Sequence, residues 1–441
     1  CVTGWRKKDR SSRSSSTGPV QVLKDEMKPA MGCTEPIAVA YCAALAREAL
    51  GTLPQRVDVE TSGNIIKNVK SVIVPNTNGA KGIPASAAAG IVAGDAGKEL
   101  EVIACVTPEQ CEKIREYVDS TPISVKLLDD GEIFDILVTV YAGNSYAKAR
   151  ISKFHTNVVL VEKDGEVLRR AEPQAEQEET ADRSFLSMQL IYDFANTVRI
   201  DDVKEILDRQ IAYNMAIARQ GLESSYGANV GQVLLQSNPQ TAAGTTEERV
   251  KLLAIARTAA GSDARMSGCE LPVVINAGSG NQGITVSVPL ITYAEELGID
   301  QERLYRALVL SNLTGNHLKT RIGRLSAYCG AVSAGAAAGC GIAYLKGESY
   351  DTIVHTLVNA LAITSGMICD GAKASCAGKI ALSVQAGILG YEMYQKGQEF
   401  MGGDGIITKK GVENVIANVG RLGREGMRET DHEILRMMTE C

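Results

Sequence analysis

The hydrophobic period of the chain changes along its length, and that change limits the folds open to it. From about residue 100 to 170, short runs alternate apolar and polar residues: ELEVIACV, ISVKLLD, FDILVTVYAG, YAKARISKF, TNVVLVEKDG and EVLRRAE, with turn residues between them. A period of two bounded by turns marks half-buried strands. From about 183 the pattern is helical nearly to the C-terminus, with one interruption at 271–290 (LPVVINAGSGNQGITVSVPL). Before the alternating segment, 20–30 and 36–51 read as helices. Runs at 57–61 and 71–75 read as β-type, and about 83–97 as a small-residue helix. Thr34 suits the cap of the second helix, and Glu35 and Pro36 its first turn. The expected class is α+β: a large, mainly helical domain with a smaller, mostly antiparallel α/β module inserted after the N-terminal segment. Residues 1–19 are set aside as a disordered basic extension. Residues 20–99 form the first part of the helical domain, 100–175 the module and 183–441 the main helical domain. The charged stretch 171–182 is read as a linker.

Composition excludes several classes. The 441 residues carry a net charge of −6 and only 5% aromatics, a poor match to nucleic-acid binding, which needs clustered cations and stacking rings. No apolar run suits a membrane span; the nearest, 326–345 (SAYCGAVSAGAAAGCGIAYL), is built of small residues that suit a buried soluble helix. The N-terminal segment lacks the apolar core of a secretory signal, so the expected address is cytoplasmic. Eleven cysteines in a reducing compartment read as core thiols plus a metal or redox site, not a disulfide framework.

Which cysteines carry chemistry is partly readable from position. Gly32-Cys33-Thr34-Glu35-Pro36 places a thiol just before a helix start, where unpaired N–H groups and the helix dipole favour a thiolate. The pairs Cys329/Cys340 and Cys369/Cys376 would each lie on one helix face, roughly 16 and 10 Å apart, too far for both members to hold one small cluster. One cysteine per pair is the most that fits. Cys329 precedes Gly330, and Cys369 precedes Asp370-Gly371, a plausible helix start; Cys340 and Cys376 read as mid-helix core thiols. Three thiolates would leave one metal of a cluster open, as a catalytic site requires, whereas four suit an electron carrier. No CxxC occurs.

Other polar groups fall at the ends of apolar runs, where sites assemble. Gly278 to Gly283 (GSGNQG) matches GxGxxG but lacks the surrounding βαβ alternation; a backbone nest for a carboxylate, including Gly280 and Asn281, fits better. It echoes the Asn- and Gly-rich segment 72–90, as two half-sites facing one another would. Asn64 and Asn78 sit in similar turns. Of the four histidines, His155 and His317 are candidate acid–base groups, as is Lys81.

The blocks MGCTEPIAVA (31–40), SGNIIKN (62–68), NTNGAKGIPA (76–85), RMSGCELPVVINAGSGNQGI (265–284), NHLK (316–319), GRLSAYCGA (323–331) and GMICDGAKASCAGK (366–379) together resemble the L-cysteine desulfidase family, related to the α-chain of iron–sulfur L-serine dehydratase. The resemblance runs from about residue 20 to the C-terminus. It implies a [4Fe–4S] lyase without pyridoxal phosphate, cleaving L-cysteine to pyruvate, ammonia and sulfide. It also implies cluster ligands at Cys33, Cys329 and Cys369, all compatible with the spacing. Asn64, Asn78, Gly280 and Asn281 would orient the substrate, with His155, His317 or Lys81 as base. In the related dehydratases a C-terminal cysteine can occupy the open iron, a role available to Cys441. Three alternatives stay open: a serine or threonine dehydratase with the same cluster, a pyridoxal-phosphate lyase using Lys81 or Lys373, and a non-enzymatic metabolite binder. The expected partner is a small amino acid, with no nucleic acid or membrane; a homo-oligomer is compatible with the sequence.

Overall fold

The computed structural model describes residues 14–128, 132–171, 183–244, 247–323, 326–408 and 411–439. Most of the 171–182 linker, the first thirteen residues of the extension and Cys441 lie outside them. In chain order the helices are α1 (Ser14–Glu26), α2 (Thr34–Leu50), α3 (Gly63–Val69), α4 (Gly82–Ala93), α5 (Pro108–Ser120), α6 (Met188–Thr197), α7 (Lys204–Glu223), α8 (Val230–Ser237), α9 (Pro239–Ala243), α10 (Glu247–Met266), α11 (Gly280–Leu297), α12 (Gln301–Ile322), α13 (Gly330–Leu345), α14 (Tyr350–Thr364), α15 (Cys376–Gln395), α16 (Val412–Arg421) and α17 (Arg428–Thr439). The strands are β1 (Pro29–Met31), β2 (Arg56–Thr61), β3 (Ile123–Leu127), β4 (Asp135–Ala142), β5 (Ser145–Ser152), β6 (Val158–Lys163), β7 (Glu166–Arg170) and β8 (Pro272–Val274). The class is α+β with a mainly helical body.

The six-stranded sheet runs β3-β2-β4-β5-β6-β7, antiparallel except for the β2–β3 pair. Its alternation is the one visible in the sequence: Ile136, Val138 and Val140 of β4 and Ala147, Ala149 and Ile151 of β5 point inward. The α2 helix lies across that inner face, and its Cys42 thiol donates to the Ala149 carbonyl at 3.2 Å.

Packing divides the chain differently from the expected boundaries. The sheet core runs from Ile37 to Val161 and takes in α2, β2 and α4, whereas Val22, Leu23, Met27 and Ala30 join the helical body. Helix α1 begins at Ser14, inside the segment set aside as disordered. ELEVIACV is not a strand: it forms a 3-10 turn at Ala96–Glu101 and the approach to α5, whose start is fixed by a capping box between Thr107 and Gln110. The 71–75 run contributes only an isolated bridge between Ile73 and Lys81. The interruption at 271–290 shrinks to β8 and one turn, because 280–297 is helical and its residues 280–294 are buried on all sides by their neighbours.

The body is held by close helix contacts. Along α13, Gly335 and Gly339 face Ser383 and Gly387 of α15; a Cβ at position 339 would stand 2.5 Å from the Gly387 carbonyl oxygen. This explains the small-residue stretch, which is the buried helix α13. Among the described residues no helix is long and apolar enough to cross a membrane.

Candidate active site

Two short backbone pairings gather the cysteines. The β1–β8 pair brings the chain just before Cys33 against the segment leading into α11. Gly32 then turns the chain into α2 at φ +62, and a Cβ there would strike Pro75 at 2.3 Å. On the other side, an antiparallel bridge between Tyr328 and Ile368 sets Cys329 beside Cys369, whose N–H donates to the Ala327 carbonyl at 2.6 Å.

Cys33 and Cys329 are the N-cap residues of α2 and α13, and both are buried. The cap of α2 is thus Cys33 rather than Thr34. Cys369 does not start a helix; it lies in the loop between α14 and α15. Cys376 is not mid-helix either, since it opens α15, where its thiol donates to the Gly371 carbonyl at 3.7 Å. Together with Ala372 it packs against Cys33, Val72 and Met266, so a fourth thiol borders the group. Cys340 is fully buried inside α13.

The electrostatics of the thiols differ. Burial pushes the Cys33 thiol well up, the adjacent Glu35 carboxylate pushes it further, and Arg265 opposes both. Its Sγ donates to Glu35 Oε2 at 3.1 Å. Glu35 also accepts from Thr34 Oγ1 at 3.1 Å and from Asn68 Nδ2 at 3.2 Å. Burial raises the Glu35 carboxyl, but the His155 charge, the Cys33 hydrogen bond, its own backbone N–H and Arg265 together hold it below the usual range. Cys369 and Cys329 share a hydrogen bond that holds the Cys369 thiol down and raises its partner. Burial opposes the drop at Cys369, while Lys67, the Gly371 N–H and Lys319 reinforce it.

Three cations missing from the reading of the sequence therefore enter the site. Lys67, on α3 and buried, pairs with Asp431 of α17. Lys319, in the last turn of α12, is pushed below its ordinary value by burial, against the pull of Cys369 and Cys329. Its Nζ and the unpartnered Gln282 Oε1 stand 3.2 and 2.9 Å from where a Cβ on Gly330 would sit. Arg265 Nη1 donates to Asn281 Oδ1 at 3.2 Å. The only sequence hint lay in the blocks themselves: Lys67, Arg265 and Lys319 all fall inside them.

The turn preceding α11 faces Cys33. Thr34 Oγ1 donates to the Gly278 carbonyl at 3.3 Å, and Ala277 is held at φ 47, a conformation that costs a non-glycine residue about 1–2 kcal/mol. Gly280 and Asn281 open the helix, with the Ser279 hydroxyl accepting from Gln282 N. His155 reaches the same turn: its Cε1 is 4.0 Å from a Cβ position on Gly278, and its ring packs edge-on against Phe134 with centroids 4.7 Å apart. Asn64 lies one helical turn before Lys67 and Asn68 on α3, its Oδ1 buried and unpartnered.

Other predicted residues are placed elsewhere. His317 is buried in α12 with its Nε2 2.9 Å from Glu413 Oε2 of α16, which also accepts from Met188 N; this joins helices of the body. Lys81 is exposed at the cap of α4. Asn78 turns toward Glu112 of α5, at 3.5 Å on the surface. Gly268, three residues ahead of the 271–290 segment, lies against Ile73, but the 76–79 turn faces α5, so the two echoing segments do not form two facing half-sites. Among the described residues, no three His, Cys, Asp or Glu side chains close into a chelate for a single metal ion. A cubane cluster does not ask for one, because each thiolate binds a different iron.

Residues 97–436 match the family model described as serine dehydratase alpha chain. That span includes Cys329 and Cys369 but not Cys33. The chain is 58% identical over 424 residues to a UPF0597 protein of Desulfitobacterium hafniense, covering 96% of each. It is 47% identical to a UPF0597 protein of Lachnoclostridium phytofermentans, over 95% of this chain and 98% of the relative. A UPF0597 protein of Treponema denticola is 45% identical, over 95% and 97%.

Proposed function

The chain belongs to the serine dehydratase alpha chain family, and from that premise we propose that it is an iron–sulfur lyase acting on L-cysteine, with pyruvate, ammonia and sulfide as products. The observation that carries this reading is the pairing of Cys329 with Cys369 beside Lys67 and Lys319, with Cys33 packed against Cys376, a neighbour of that pair. The donor set fits a [4Fe–4S] cluster: two buried sulfurs at helix N-termini and a third, half-buried one, with buried cations beside them to offset thiolate charge. Such a cluster, when bound, supplies an open iron as a thiophilic Lewis acid toward the leaving group.

The protein's own groups supply the rest. His155 takes the α-proton, with the Glu35 carboxylate within electrostatic reach of its ring. Of the three candidate bases it is the one that borders both Glu35 and the Gly278 turn. Loss of the α-proton and of the β-sulfur leaves aminoacrylate, which tautomerises to the imine and takes up water to give pyruvate and ammonia. Lys319, beside Cys329 and Cys369, returns a proton to the departing sulfide. The family description favours one further reading: with L-serine the same steps would expel water instead.

The test is anaerobic purification with assay of iron and acid-labile sulfide per chain, followed by kcat/KM for L-cysteine and L-serine. The expected result is a cluster-bearing protein that prefers L-cysteine. A cluster-bearing protein that prefers L-serine would replace the substrate, and a Cys33→Ala variant with full iron content would overturn the ligand set.

A further inference from the structure

Arg265 is a buried cation that makes no ion pair among the described residues. It is 3% exposed, and its Nε has no partner. The Nη1 bond to Asn281 Oδ1, which Ser262 also approaches at 3.3 Å, is with a neutral group. Arg183, similarly buried at 8%, is instead paired with Glu26. A buried unpaired charge costs several kcal/mol, so such a group is kept where an anion arrives.

Its position repeats the point. A Cβ on Gly280 would fall 2.2 Å from Arg265 Nε, so the guanidinium lies directly against the first residue of the eighteen-residue helix α11. A helix N-terminus carries unpaired N–H groups and partial positive charge. Two positive ends held together in the interior are mutually repulsive until an anion bridges them.

We infer that Arg265 and the N-terminus of α11 are the receptor for the α-carboxylate of an amino-acid substrate, with Glu35 holding its α-ammonium group. This rests on the reading of the site as an amino-acid lyase centre. The planar guanidinium matches a carboxylate in two-point contact. Glu35 lies within electrostatic reach of Arg265 but is not paired with it; its Oε2 accepts from Cys33 and Thr34, while Oε1 accepts only from Asn68 among the described contacts and has room for an ammonium donor. Glu35 also selects among anions, since it repels a phosphate dianion and attracts a zwitterion. The two poles place Cα between them, beside His155.

The experiment uses the full chain purified anaerobically, with L-alanine as probe. L-alanine lacks a β-leaving group, so its binding reads the receptor without turnover. Calorimetric titration should show wild type binding L-alanine about 30-fold or more tighter than L-alaninamide. Arg265→Gln should weaken L-alanine about 30- to 100-fold and level that preference to within about threefold, with iron per chain unchanged; Arg265→Lys should restore part of it. Gly280→Ala, which displaces the guanidinium while keeping it, should reproduce the loss and serves if Arg265→Gln does not fold. Retention of the wild-type preference in Arg265→Gln, or no preference in wild type, overturns the receptor. If L-cysteine is not cleaved but the preference collapses in Arg265→Gln, the desulfidase reading fails and the receptor stands.

Discussion

Cys33 is buried and Cys369 half-buried, and both border the same site, yet their surroundings push them in opposite directions. Cys33 caps a helix, the position that favours a thiolate, but its thiol is raised, because burial and the Glu35 carboxylate beside it outweigh the helix end. Cys369 has no helix of its own and is held down, by the Cys329 hydrogen bond and by Lys67 and Lys319. The lesson is that neighbouring full charges outrank a helix terminus, whose effect is worth about 0.3–1 kcal/mol at an exposed end. Under the proposed ligand set, a cluster would meet one thiol already disposed to be a thiolate and one that must release its proton on binding.

The comparison can be broken most severely by removing either sulfur. Cys33→Ala and Cys369→Ala should each abolish stable iron incorporation, read as iron and acid-labile sulfide per chain; a variant that keeps full iron would show that its thiol is not a ligand. Next comes Lys67→Met, which leaves Asp431 unpaired and takes away a cation beside Cys369. It should destabilise the fold by about 1–3 kcal/mol, since it strands the half-buried Asp431 carboxylate, and the denaturant midpoint measures this. In metal-free protein the pH midpoint for alkylation of Cys369 should move up. Glu35→Gln should do the reverse at Cys33, because removing the carboxylate lowers that thiol, so its alkylation midpoint moves down. Shifts of the same sign in the two variants would undo the contrast.

The smallest expected effect belongs to Asp263, a buried acid with no cation to compensate it. Burial raises its carboxyl to about 6, against the lowering pull of the Gly231 and Val230 N–H groups. The folded chain therefore keeps this proton to higher pH than the unfolded chain, whose carboxyl has the ordinary value of 3.8. Stability from this group is full below that value and declines as pH rises through about 6. Asp263→Asn should flatten that part of the decline, with its oxygen still able to accept from Gly231 N. Urea midpoints between pH 4 and 7 would measure it; parallel curves for variant and wild type would remove Asp263 as the cause.

Period alone made the two halves of the fold legible, because strands β4 and β5 bury alternate residues and a helix such as α7 buries every third or fourth. It failed where packing overrode local preference. Residues 280–297 are rich in Val, Ile and Thr, which favour strands, yet they form α11, enclosed by α10, α12 and α13. Helix α5 carried a readable capping box but was hidden within an alternating stretch. Among the site residues, Cys33 could be placed from its neighbours, Thr34 to Pro36. Cys369 could not, since its pairing with Cys329 depends on the bridge between Tyr328 and Ile368, forty residues apart.

What the sequence determined by itself was the kind of protein: an α+β chain with small-residue helices, with cysteines spaced so that one per pair could act. Those are properties of residue types at short range. Only the tertiary structure decided which charges meet the cysteines. Lys67, Arg265 and Lys319 lie on three helices far apart in the chain, and nothing local distinguishes them from surface cations. Burial gives them their meaning, because a charge acts strongly on a thiol or a substrate only where water no longer screens it.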